Sequence, residues 1–337
     1  MEILHREFLK SDTLTCHAST IAFYKDKPVF SWFGGAREGL ADSCIFLQSD
    51  QVFKLSNTFP ALNPMTQTNH FPCWNPILFE IQDHLYLFFK VGTYCDRWQT
   101  MYLDISKVWD DKFNVPSDYK WLNAGLNFCV KTKPIIHNGF VYCGSSVETF
   151  FDWSAFVEAY IYDNNDFVFA YRSEPLSINH KTVNRALNGY LNITKGLIQP
   201  TLWQDQEQRF NVLLRSDSPD KKIYHSIIAN NNIMWSIPKP INTLNNPNSS
   251  IDVVFYEKNL YLVYNPVSNG RIPLVIDKLD DQFKTLDRLV ISDQQDLTKE
   301  AITPEFSYPY MIEKDGKLHL TYTWGRKKIE YCIINIG

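Results

Sequence analysis

The sequence predicts an all-β fold, a six-bladed β-propeller, and three observations lead there. First, six times along the chain an apolar strand runs into a polar turn and returns as a second apolar strand: Ile21–Phe33, Ile77–Val91, Pro134–Ser146, Pro200–Asp217, Val253–Pro266 and Tyr310–Trp324. Second, their start points are 56, 57, 66, 53 and 57 residues apart. A strand-only unit repeating at that length is a propeller blade. Third, six such units nearly exhaust the 337 residues and no Pro/Ser/Gly-rich linker divides them, so a single domain over 1–337 is expected.

The elements between the hairpins follow in order. Alternation with a period near 2, punctuated by Asn, Asp, Gly and Pro, reads as further strands and turns. Ile105–Asp111 reads as a helical turn. The polar stretch Asn179–Asn192 reads as a rim loop or short helix and accounts for the 66-residue spacing. Short turns echo one another between hairpins: Ile228–Trp235 (IANNNIMW) and Leu279–Leu286 (LDDQFKTL), with weaker copies at Gln48–Leu55 and Tyr162–Phe169. The first two carry Asn or Asp at the third position and a bulky residue at the eighth. Such an acid or amide bonds its own backbone in a tight turn.

Composition bounds the function. The net charge is −4 with no long run of either sign, so no nucleic-acid surface is advertised. Aromatic residues make up 15%, ample for sheet packing. The seven cysteines have no CxxC spacing and several sit in apolar strands, so they read as buried thiols rather than a metal site. No Asp-rich calcium loop is visible, and no metal or cofactor is expected. The N-terminus, MEILHREFLKSD, lacks an apolar signal core, and no 18-residue apolar run occurs. A cytoplasmic chain without a membrane span is the expectation; export by another route stays open. Asn192-Ile-Thr and Asn248-Ser-Ser fit the glycosylation triplet.

In a propeller the start of each blade's innermost strand faces one channel end. His17, Asn75, Lys133, Gln199, Asp252 and Tyr308 each occupy such a slot just before a hairpin, once per blade. Glu148 lies at a comparable strand end. Trp74, Trp98, Trp153 and Trp203 are candidates for stacking on sugar faces.

The repeated turns resemble degenerate Asp boxes of the sialidase (BNR-repeat) superfamily. The segments Cys16–Asp42, Leu214–Asp217, Leu244–Asp252, Tyr264–Leu274 and Glu305–Trp324 resemble its blades in the same order. The resemblance implies a propeller of the sialidase type and a glycoside hydrolase acting on an acidic, sialic-acid-like sugar. Such enzymes grip the substrate carboxylate with arginine forks and use a tyrosine nucleophile and an aspartic proton donor. Mapped onto this chain, Asp42 falls at the acid/base aspartate, 25 positions after His17. Arg215 and Arg271 fall at two of the carboxylate-binding arginines, and Tyr308 at the nucleophile.

Two positions depart from that pattern. His17 stands where the first arginine belongs, and Gln199, 16 residues before Arg215, stands where a glutamate partners the tyrosine. A glutamine cannot accept the phenol's proton, and an imidazole has no fork. Glu148, Glu305 or His17 is left to supply the base, and Arg37, thrown out by the Gly34-Gly35 turn, to replace the lost cation. The expected catalytic set is Asp42, Tyr308, His17 and Gln199. The expected substrate-binding set is Arg37, Arg215, Arg271, Asn75, Lys133, Glu148 and Asp252. Two alternatives stay open: a polysaccharide lyase or uronate-directed enzyme on the same fold, and an inactive acidic-glycan-binding propeller.

Overall fold

A computed structural model describes residues 1–63, 68–107, 119–149, 152–178, 195–228 and 234–337. The Asn179–Asn192 stretch, most of the Ile105–Asp111 segment and the centre of the Ile228–Trp235 turn lie outside the described residues.

The chain forms two compact units, residues 1–127 with 295–337, and residues 128–294. In chain order, β1 (Glu2–Phe8) is followed by the first blade, β2 (Thr15–Tyr24), β3 (Lys27–Gly35), β4 (Cys44–Gln48) and β5 (Val52–Lys54). A two-stranded ribbon comes next, β6 (Thr58–Asn63) and β7 (Thr68–His70). The second blade is β8 (Cys73–Ile81), β9 (His84–Val91), β10 (Gln99–Asp104) and β11 (Lys120–Trp121).

The second unit holds three blades. They are β12 (Ile135–His137), β13 (Phe140–Glu148), β14 (Trp153–Asp163) and β15 (Asp166–Arg172); then β16 (Leu197–Gln204), β17 (Phe210–Ser216), β18 (Lys222–Ile227) and β19 (Lys239–Asn245); then β20 (Asp252–Tyr256), β21 (Asn259–Tyr264), β22 (Leu274–Leu279) and β23 (Thr285–Ser292). The chain returns to the first unit with β24 (Phe306–Lys314), β25 (Lys317–Trp324) and β26 (Lys328–Asn335). The fourth strand of this sixth blade is β1, paired antiparallel with β26. The fold class is all-β, a six-bladed β-propeller, as the repeat predicts. The six hairpins read from the sequence are the first two strands of the six blades.

Turn chemistry sets the register of five of these hairpins. Lys25-Asp26, Gln82-Asp83, Asn138-Gly139, Glu257-Lys258 and Asp315-Gly316 are two-residue turns with positive φ at both positions. That mirror-image turn matches the twist of the flanking strands. The fourth blade differs. Asp205 accepts the amides of Glu207 and Arg209 through Oδ1, both at 3.0 Å, across a longer turn. The same bonding recurs where Asp280 Oδ1 accepts from Gln282 (3.0 Å) and Lys284 (2.8 Å). The turn-forming acid of LDDQFKTL is therefore Asp280, at the second position, and not the third-position Asp281 expected from the sequence.

Each unit has its own core. In the first, Phe33, Leu47, Leu78, Leu87 and Met101 belong to one buried cluster against which Trp74 and Tyr308 pack. In the second, Leu213, Leu244, Val253, Leu262 and Tyr264 form one cluster, and Val157, Leu202, Val212 and Leu214 another. Gly144 is fixed by close approach: a Cβ there would lie 2.2 Å from the Pro200 carbonyl oxygen. No disulfide joins any of the seven cysteines, six of which are buried. No described helix is long and apolar enough to cross a membrane.

Three blades carry the same polar clamp. A buried carboxylate on the third strand pairs with an arginine on the fourth and takes a tyrosine hydroxyl. The sets are Glu158–Arg172–Tyr160, Asp277–Arg288–Tyr264 and Glu330–Arg6–Tyr322. Glu158 and Asp277 are fully buried, so the arginine and hydroxyl supply the pairing that makes each charge tolerable.

Candidate functional site

The innermost strands of four blades share one irregularity. The ladder skips two residues between His17 and Thr20, Trp74 and Ile77, Ile198 and Thr201, and Ser307 and Tyr310. The first skipped residue has positive φ each time: Ala18 (51°), Asn75 (41°), Gln199 (52°) and Tyr308 (52°). The second is proline in three of them, which suits a bulge because proline has no N–H to pair. A left-handed non-glycine residue costs about 1–3 kcal/mol and persists only where its surroundings fix it. Bulges re-aim side chains, and such strain collects at functional positions. Three of the sequence-picked slots, Asn75, Gln199 and Tyr308, are these bulged residues. In the first blade the equivalent position is Ala18 and not His17, which precedes the bulge. Lys133 and Asp252 occupy their blades without this bulge.

In the first unit, His17 and Tyr308 meet. Their ring centroids lie 4.0 Å apart at 51°, and His17 packs edge-on against Phe33 at 5.7 Å. The Nδ1 of His17 lies 2.9 Å from Thr323 Oγ1, which also accepts the Ala18 amide at 3.2 Å. That hydroxyl therefore fixes both the imidazole and the bulge. Trp74 adds an aromatic wall: it lies 6.0 Å from Phe33 and 6.2 Å from Trp98 and donates its indole N–H to the Gly92 carbonyl at 2.8 Å. Asn75 is buried.

The cation associated with Tyr308 is Arg326, which the sequence reading missed. Burial opposes its charge, but Glu38, Glu305 and the Tyr308 phenol outweigh that and raise its pKa. Its Nε donates to Glu305 Oε1 at 2.6 Å, and its Nη1 pairs with Glu38. Ser307 Oγ donates to the same Glu305 oxygen at 2.8 Å. Arg37, expected to replace the lost cation, is exposed in the loop after β3, and its carbonyl accepts from Leu40. Asp42 is also exposed. Its Oδ2 accepts the Ala36 amide at 2.8 Å, and it lines a cleft with Thr13, Leu14, Phe46 and Lys54, beside outer strands β4 and β5.

In the second unit a connected network gathers six polar residues. Arg215 is 7% exposed. It donates Nη1 to Gln199 Oε1 (3.0 Å) and Nε to Asn248 Oδ1 (2.8 Å), and its guanidinium carbon sits 5.7 Å from the Trp153 ring centre. Arg271 Nη2 donates to the Asn248 carbonyl at 3.4 Å. The Gln199 amide reaches Ser146 Oγ at 3.5 Å, and that hydroxyl donates to Glu148 at 3.2 Å. Gln199, Arg215, Arg271 and Glu148 thus come together. Gln199 holds an arginine here and is no proton acceptor. Asp217, the obvious local partner for Arg215, instead accepts the Lys195 and Gly196 amides at 2.7 and 2.8 Å.

Lys133 and Asp252, both expected to bind substrate, pair with each other at 2.8 Å, and Thr201 donates to the same Asp252 oxygen at 2.9 Å. The Asp252 carboxylate is fully buried, so this set reads as an internal anchor. Lys131, two residues from Lys133, is also buried, and burial pulls its pKa down to about 7 against the opposing pull of Asp252. The sequence reading did not place this buried lysine beside Asp252. Of the tryptophans picked for sugar stacking, Trp153 faces the cations Arg215 and Lys195. Trp203 packs into a core cluster at the opposite, hairpin-turn end of its strand. Among the described residues no cluster of metal-ligating side chains occurs.

Residues 28–320 match the model of the BNR repeat-like domain. The chain belongs to that family. Solved structures agree with this BNR-type fold at low identity. A Dyadobacter fermentans protein of unknown function superposes with a TM-score of 0.70 at 9% identity, covering 100% of this chain and 99% of that one. A Hadza microbial sialidase gives 0.64 at 9%, covering 96% and 66%. Trypanosoma rangeli sialidase in complex with sialic acid gives 0.62 at 10%, covering 100% of this chain and 58% of that one. This BNR-family chain therefore spans little more than half of the trypanosomal enzyme. No curated protein matches it.

Proposed function

We propose that this BNR-family propeller is a sialidase-like protein that takes an acidic sugar by its carboxylate at the Arg215 cluster. Separately, in the first unit, Tyr308 and His17 form the candidate reacting pair, and Asp42, exposed beside the outer strands, is the proton donor that the family pattern would supply. The observation that carries the reading is the mounting of Arg215. Its guanidinium is fixed by two neutral amide oxygens and an aromatic face, a preorganised fork of the kind that binds carboxylates in two-point fashion.

Calorimetric titration of the full chain with sialic and uronic acids tests the carboxylate assignment. Arg215→Ala removes the fork, and Gln199→Glu puts a carboxylate where an oxygen now lies 3.0 Å from it. Either change weakens binding at least about tenfold. Unchanged affinity in both variants sinks the assignment. Turnover is tested separately on acidic glycosides with Tyr308→Phe and Asp42→Asn; full activity in either removes that residue from the chemistry.

One observation favours a second reading. The His17 and Tyr308 ring centroids lie 4.0 Å apart, and a histidine–tyrosine pair suits the proton transfers of an eliminating enzyme acting on uronates. A product with a new carbon–carbon double bond, absorbing in the ultraviolet, distinguishes this from hydrolysis.

A further inference from the structure

The second unit contains a cavity of about 520 Å³ at the hairpin-turn ends of the fourth and fifth blades, the opposite strand ends from Gln199 and Asp252. That volume is in the range of small-molecule sites. Its apolar wall is aromatic. Trp203 stacks with His225 (centroids 5.8 Å apart, 28°), and Phe283 meets His225 edge-on at 4.8 Å. Phe255 lines the same space.

A hydrogen-bond relay fixes the polar character of His225. Asp205 is held by Arg209, with Nε to Oδ2 at 2.8 Å. Asn211 donates its Nδ2 to Asp205 Oδ2 (3.2 Å) and to the Arg209 carbonyl (3.1 Å). Both are pure acceptors, so the Asn211 amide cannot be turned round, and its Oδ1 faces His225 Nε2 at 2.9 Å. Nε2 must then carry the proton, and Nδ1 is left as an acceptor that no described residue bonds. Burial keeps this imidazole neutral, with its pKa drawn down to about 4. The charges around the cavity exclude an anion. Asp205 and Glu207 are matched by the single cation Arg209, and Asp280 and Asp281 outnumber Lys258.

The structure assigns this cavity as a binding site for an uncharged sugar. One apolar face of the pyranose lies on the Phe255, Phe283 and Trp203 wall, and a hydroxyl donates to His225 Nδ1. The assignment stands apart from the Arg215 cluster, whose chemistry selects an acid.

Saturation-transfer NMR and calorimetry on the full chain test it, with glucose, galactose, N-acetylglucosamine and lactose as probes. At least one binds in the millimolar range. His225→Phe, which keeps an aromatic ring and removes the acceptor, weakens it about tenfold or more. Phe283→Ala, at a turn, does the same and serves if His225→Phe does not fold. Arg215→Ala leaves this binding unchanged, which separates it from the acidic-sugar reading. Three results overturn the assignment: no neutral sugar binds, binding survives both His225→Phe and Phe283→Ala, or choline displaces the sugar from the cavity, which would identify a cation site.

Discussion

Arg6→Met should unfasten the first strand from the last. Arg6 lies on β1 and Glu330 on β26, and two hydrogen bonds of 2.7 and 3.1 Å join them. The carboxylate of Glu330 is almost wholly buried, and without Arg6 it keeps the Tyr322 hydroxyl. Removing one partner of a buried pair costs about 3–5 kcal/mol. The Arg6 side chain is 32% exposed, so solvent screens part of its charge and the expected loss is about 2–3 kcal/mol. Urea unfolding at neutral pH reads this as a lower midpoint, and hydrogen exchange reads it locally as faster exchange in β1. Glu330→Gln in the same background separates pairing from packing. Once the buried charge is gone, Arg6→Met should cost at most about 1 kcal/mol. Equal costs in the two backgrounds, or a change within about 0.5 kcal/mol for Arg6→Met alone, would refute the clamp.

Acid should weaken the fold before carboxylates titrate. Burial lowers His225 and His319 to about 4 from an ordinary 6.5. Between those values the unfolded chain binds more protons than the folded one, so stability falls as pH drops through the window, by up to about 3 kcal/mol per histidine. His319→Gln should flatten the slope of urea midpoint against pH. Lys131 acts in the same sense at higher pH: its pKa of about 7 lies below the ordinary 10.5, so stability rises with pH from about 7 to 10.5, and Lys131→Met removes that rise. Ala18→Gly should stabilise by up to about 1 kcal/mol, because φ of 51° strains alanine and not glycine; a lower melting temperature would show that the bulge carries no such strain.

The blades were legible because alternation and two-residue turns coincide in the inner hairpins. β1 was not, since only Ile3 of its seven residues is even half-buried and no period survives. Its place is set by the backbone edge of β26 and by Arg6. In the site, the Asn-Pro, Gln-Pro and Tyr-Pro pairs mark three bulges in plain sequence, while Ala18-Ser19 performs the same turn without the proline cue, so the slot was assigned to His17, one residue too early. Arg326 was hidden in a run, GRKK, that reads as solvated charge. Lys131 and Lys133 flank one threonine in KTK; sequence cannot tell that both lie inward enough to feel Asp252.

The arginines of this chain provide an internal comparison. Arg6, Arg172 and Arg288 each meet a buried carboxylate on a neighbouring strand, and each thereby joins the fourth strand of a blade to its third. Those pairings explain the residues by structure alone. Arg215 lies on β17, the second strand of its blade, with Asp217 two residues away and turned to backbone amides. The guanidinium is oriented instead by the oxygens of Gln199 and Asn248. Gln199 is itself held in a left-handed conformation that an ordinary strand would relax. A strained glutamine kept at the end of an arginine fork is costly as packing and useful as preorganisation. A glutamate there would pair with the arginine's charge, whereas the neutral amide orients the guanidinium and leaves that charge in place.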